Sequence, residues 1–77
     1  MPYQFIRTDP EILGGKPHIK GTRLSVAFIL ELFASGATRE DILDAYPQLS
    51  AEAVEEALRY AAESIDNEIV ITDKLAA

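Results

Sequence analysis

Seventy-seven residues, 48% of them hydrophobic and none of them cysteine, describe one small domain that neither a disulfide nor a cysteine-held metal can staple. A chain of this size buries only roughly 60–65% of the surface its unfolded form exposes, so a homodimer or a tightly held partner is expected. No apolar run approaches the roughly 18 residues of a membrane span, and the first residues lack the charged-then-apolar pattern of a signal peptide, so the expectation is a cytoplasmic chain with no membrane role.

The net charge of −6 is unevenly distributed. Up to Leu24, Arg7, Lys16, Lys20 and Arg23 face only Asp9 and Glu11, a balance of +2 with His18 neutral. From Ser25 onward Arg39, Arg59 and Lys74 face eleven carboxylates, a balance of −8. An anionic partner should therefore meet the first third of the chain, and the remainder should repel phosphate.

Tyr3-Gln4-Phe5-Ile6 is β-prone and predicts a short strand. Asp9, Pro10 and Glu11 signal a helical start, but Gly14-Gly15 limits it to one turn over Pro10 to Leu13. Pro17 to Lys20 is extended with Ile19 inward, and Lys20-Gly21-Thr22 is a tight turn in which Gly21 takes φ > 0. Residues 1–24 thus form a β-arm or hairpin carrying a basic turn.

Ser25 caps a first helix with Val26, Ile29, Leu30 and Phe33 at helical spacing, and Gly36 stops it. Thr38 caps a second, with Asp41 completing a capping-box-like pair, and Pro47 ends it. Ser50 caps a third, whose apolar stripe is Val54, Ala57, Leu58, Ala61 and Ile65 and whose end is expected near Asn67. The fold class is therefore mainly α. It is a three-helix bundle over 25–66, either helix-turn-helix-like or generic, preceded by the short N-terminal β-arm. In the 67–77 tail, Ile69, Val70 and Ile71 are adjacent and β-branched. They predict a strand that binds a partner, pairs with the arm or folds back on the core.

Little here suggests catalysis. Gly15-Lys16 is followed by Pro17, and Lys20-Gly21-Thr22 has the wrong order for a phosphate loop. His18 is the chain's single histidine, so no histidine pair can hold zinc, and nothing marks a nucleophile. Asp41, Asp44, Glu52, Glu55 and Glu56 form no metal pattern and are simplest as solvated faces. The expectation is a non-enzyme without metal or cofactor.

Nucleic-acid binding is the better candidate. Lys16, His18, Lys20, Thr22 and Arg23 are phosphate-contacting residue types, and Gly15, Pro17 and Gly21 fix the shape that presents them. Arg23 either contacts the nucleic acid, as phosphate or guanine edge, or holds a carboxylate or helix carbonyls within the bundle. The third helix, with Glu52, Glu55, Glu56 and Glu63 against Arg59, is a poor match for a major groove, so the β-arm should lead on DNA.

The run Asp9-Pro10-Glu11-Ile12-Leu13-Gly14-Gly15-Lys16-Pro17, followed by Ile19-Lys20-Gly21-Thr22-Arg23-Leu24-Ser25-Val26, resembles the signature of the domain of unknown function four-three-three. Gly36, Tyr46-Pro47 and Val54 to Ala61 extend the likeness to about Phe5–Ala62. The resemblance implies a small helix-turn-helix-like domain with a β-arm and the role of a VapB-like antitoxin. Such a protein would neutralise a PIN-like nuclease toxin by direct contact and repress its own operon by binding operator DNA. The alternative is a protein-interaction module with no DNA role.

Overall fold

The computed structural model describes the backbone of residues 3–76 and the side chains of residues 3–65. A two-stranded antiparallel hairpin leads into three helices, as expected. Strand β1 (Ile6–Arg7) pairs with β2 (His18–Ile19), Ile6 opposite Ile19 and Arg7 opposite His18. Helix α1 spans Val26–Ala34, α2 Arg39–Ala45 and α3 Ala51–Ala76.

The helix ends follow the side-chain chemistry. The Ser25 hydroxyl accepts from the Phe28 N–H at 2.9 Å and opens α1. At its other end Gly36 sits at φ 99°, Ala37 N–H donates to Leu32 O and Gly36 N–H to Phe33 O, the paired bonds of a Schellman stop. At α2 the capping box is complete: Asp41 N–H donates to the Thr38 hydroxyl at 3.1 Å, and Thr38 N–H to the Asp41 carboxylate at 2.9 Å. The Thr38 backbone bond first, and its side chain second, hold the Asp41 carboxyl below its ordinary range. A carboxylate depressed in the folded state adds stability above its unfolded value and loses it as pH falls through the folded one, so this box fails only in acid. Ser50 opens α3 by accepting from Ala53 N–H at 3.1 Å.

Two expectations are corrected. Asp9 does not start a helical turn over Pro10–Leu13. Its carboxylate accepts from Glu11 N–H at 2.9 Å, and the turn comes later, at Leu13–Gly15, with φ of 52°, 63° and 88°. The two glycines accept that left-handed path at no steric cost and Leu13 does not. Nor does α3 stop near Asn67 to release a strand. It runs as helix through Ile69, Val70 and Ile71 to Ala76. No glycine or proline follows Ser50. Lengthening a capped helix adds a hydrogen bond per residue, whereas a strand needs a partner edge. The side chains of Ile69, Val70 and Ile71 lie outside the described residues.

The core is a seam where β1, α1 and α2 meet α3. Ile6 and Ile19 enter from the hairpin, Val26 and Ile29 from α1, Ile42 from α2, and Leu49 from the loop before α3. Opposite them α3 presents mostly small residues, Ala53, Val54, Ala57 and Ala61, which let the other elements approach its backbone closely. Leu58 and Ile65, expected in the same inward stripe, remain 37% and 44% exposed.

The hairpin is tied on both flanks. Lys20 N–H donates to Phe5 O at 2.7 Å on one side of β2. On the other, Ile19 N–H donates to Leu24 O and Val26 N–H to Pro17 O, each at 2.9 Å. Strand β2 therefore has backbone partners on both edges, and both His18 and Ile19 are buried.

Candidate functional site

The basic stretch is built around one turn at the end of β2. Thr22 N–H donates to Ile19 O at 3.0 Å, and Gly21 between them takes φ 78°, the value that a type II turn requires at its third residue. The positive φ expected at Gly21 is observed, and a side chain there would be strained. The Thr22 hydroxyl donates to Ile19 O at 2.8 Å and accepts from Leu24 N–H at 3.0 Å. It locks the turn onto the start of α1. Lys20 and Arg23 flank this clamp and are exposed.

The five residues expected to meet nucleic acid therefore divide. Lys16, Lys20 and Arg23 are exposed, and none of their side chains hydrogen-bonds or ion-pairs with a group among the described residues. Arg23 thus does not hold a carboxylate or a helix carbonyl of the bundle among them. His18 and Thr22 are corrected. His18 is 2% exposed, with its Nδ1 facing Lys16 O at 3.3 Å, because β2 is flanked on both sides. The one hydroxyl proton of Thr22 is already donated to Ile19. Both residues shape the turn from within. Gly15 lies at φ 88° in the left-handed turn before Lys16, and Pro17 O anchors Val26, so both sit at bends that set the course of the stretch.

The acidic face of α3 takes on a different meaning. The Glu56 carboxylate accepts the backbone N–H groups of both Gln4 (3.0 Å) and Phe5, fastening the chain just before β1. Tyr3 donates its hydroxyl to Glu63 and packs edge-on against Tyr60 at 5.1 Å between ring centroids. Glu55 pairs with Arg39 at 2.7 Å, an exposed bridge worth about 0–1 kcal/mol. Glu52 lies in the first turn, where the helix dipole favours an acid. Three of these carboxylates therefore position the hairpin and α2. Nothing in the spacing of Glu56 distinguishes it from a solvated acid, since its donors are backbone groups 51 and 52 residues away. Among the described residues no cluster of three His, Asp or Glu side chains can hold a metal ion, and no helix is long and apolar enough to cross a membrane.

Residues 6–61 match the model of the family described as "Protein of unknown function (DUF433)". That span begins and ends on core residues, Ile6 and Ala61. The crystal structure of a DUF433 member protein from Anabaena variabilis ATCC 29413 is similar, with a TM-score of 0.72 and 34% identity, over 84% of this chain and 67% of that one. "Uncharacterized protein y4eO" of Sinorhizobium fredii (strain NBRC 101917 / NGR234) is 38% identical over 58 residues, 75% of this chain. The chain spans about a quarter of that relative's length, 26%.

Proposed function

This chain belongs to the DUF433 family, and on that premise we propose that it is a VapB-like antitoxin of a cytoplasmic toxin–antitoxin pair. It binds rather than catalyses. Its partner is a PIN-like nuclease toxin, and it represses its own operon as a dimer on operator DNA. The observation that carries the DNA-binding half is the exposed set Lys16, Lys20 and Arg23, whose side chains are unpaired among the described residues; Lys20 and Arg23 flank the turn that Gly21 and Thr22 fix, and Lys16 follows the turn at Leu13–Gly15. Rigid placement lowers the entropy lost when those groups meet phosphate. The toxin-binding half draws support from the −8 balance of the chain after Leu24. A nuclease that cuts RNA needs a basic substrate surface, and an acidic partner is steered toward it.

The test is co-expression with the product of the adjacent gene, followed by co-purification and an RNA-cleavage assay. The expected result is a stable complex with cleavage suppressed; failure to bind or to inhibit overturns the reading. For the DNA half, a gel shift on the chain's own promoter should weaken steeply with salt, as phosphate contact demands. Arg23→Glu should abolish the shift while thermal stability changes little, because Arg23 has no partner to lose among the described residues. A second reading, a protein-interaction module without DNA, is favoured by the enclosure of His18 and the internal bonding of Thr22, which leave three contact residues of the five expected. The absence of any shift at low salt selects it.

A further inference from the structure

The basic stretch does not hold all the positive charge at this end of the chain. Arg7 contributes to the +2 balance but lies outside that stretch, on β1, directly opposite His18 of β2. Successive residues of a strand point to opposite faces, and residues opposite each other across a pair share one. Ile6 and Ile19 point into the core, so Arg7 is directed to the other face of the hairpin. Lys20 N–H donates to Phe5 O at 2.7 Å, so the register continues to Lys20 and makes it the diagonal neighbour of Arg7. Both are exposed. Diagonal neighbours stand about 7–8 Å apart, close enough for two long cationic side chains to reach one target.

Arg7 is also held as the other three cations are not. Its Nη1 donates to Tyr3 O at 3.0 Å and to Ile6 O at 3.1 Å. Both acceptors are uncharged, and no carboxylate pairs with Arg7 among the described residues. Two neutral carbonyls occupy one nitrogen and leave the charge unanswered. Nε and Nη2, which have no partner among the described residues, form a fork whose plane the Nη1 bonds fix. Such a fork matches two oxygens of a phosphate.

We propose that Arg7 anchors a phosphate of duplex DNA, so that the contact surface crosses both strands of the hairpin, from Lys20 and Arg23 at the turn to Arg7 on β1. The inference rests on the DNA-binding half of the antitoxin reading and adds to it a residue from a different strand.

The experiment is a gel shift on the chain's own promoter duplex over a series of salt concentrations, with wild type, Arg7→Gln and Arg7→Lys. Arg7→Gln removes the charge, so affinity should fall roughly tenfold. The slope of log affinity against log salt should become shallower by about 0.9, the value of one phosphate contact. Arg7→Lys keeps the charge and should restore the slope, which a role confined to bracing Tyr3 and Ile6 would not change in either variant. A wild-type slope in Arg7→Gln overturns the proposal and leaves the DNA reading standing; a wild type that gives no shift at low salt overturns both. Should Arg7→Gln unfold, the wild type decides through footprinting with an arginine-specific dicarbonyl reagent. The duplex should protect Arg7 and leave Arg39 of α2, whose partner is Glu55, reacting as before. Equal modification of Arg7 with and without the duplex refutes the contact.

Discussion

Helix α3 has two halves made of similar residues in different circumstances. From Ala51 to Ala61 it lies beneath the hairpin, α1 and α2, and buries Ala53, Val54, Ala57 and Ala61. Just beyond, Ile65 continues the same helical stripe but meets solvent. Periodicity specifies which side chains share a face of a helix; it does not specify where the surface beneath that face ends. That limit is set by other elements, here the hairpin and a nine-residue α1. The family match ends at Ala61, where the packed half ends.

The comparison can be broken most sharply at Val54, which is fully buried in the core. Val54→Ala removes two methyl groups and leaves a cavity, so it should cost about 2 kcal/mol. For a domain this small that lowers the melting temperature by roughly 8–16 °C. A loss under about 0.5 kcal/mol in a chemical denaturation series would mean that the packed half is not the stability-determining part.

Glu56 tests the polar side of the same half. Its carboxylate receives two adjacent backbone donors, and Glu56→Gln turns one acceptor into an NH₂ group that faces an N–H. The expected loss is about 1–2 kcal/mol, concentrated in the hairpin. Amide exchange at Lys20, whose N–H is bonded to Phe5 O, should accelerate, while Ile42 N–H in α2 should exchange as before, apart from the global loss. Uniform acceleration across both would show that Glu56 supports the whole fold rather than the hairpin.

These two residues also show what was legible in advance. Ser25, Thr38, Ser50 and Gly36 announced the starts of all three helices and the end of α1, because a cap is chemistry within a few residues of the chain. Gly21 was legible for the same reason. What was hidden depends on distant contacts. His18 reads as a surface residue able to contact phosphate because Lys16 and Lys20 stand near it in sequence, yet it is buried, with β1 on one side and Ser25 on the other. Glu56 looked like one of several solvated acids. The helical path through Ile69–Ile71 follows from the absence of any breaker after Ser50, which outweighs the β-branched composition that predicts a strand there.

The smallest effect should come from Ile65, the first large apolar side chain past the packed half. In a dilute sample, where each chain is alone, Ile65→Ser removes the half-buried part of one side chain and should cost about 1 kcal/mol, less than the Val54→Ala loss. The two substitutions also differ in kind. The cost of Val54→Ala is internal to one chain, so it stays the same at every protein concentration. If the proposed homodimer covers Ile65, wild-type stability rises with concentration by mass action and Ile65→Ser loses that rise. The gap between wild type and variant should then widen as the sample is concentrated. Parallel melting temperatures for the two proteins across the whole series would place Ile65 in permanent contact with solvent and confine the function of α3 to its packed half.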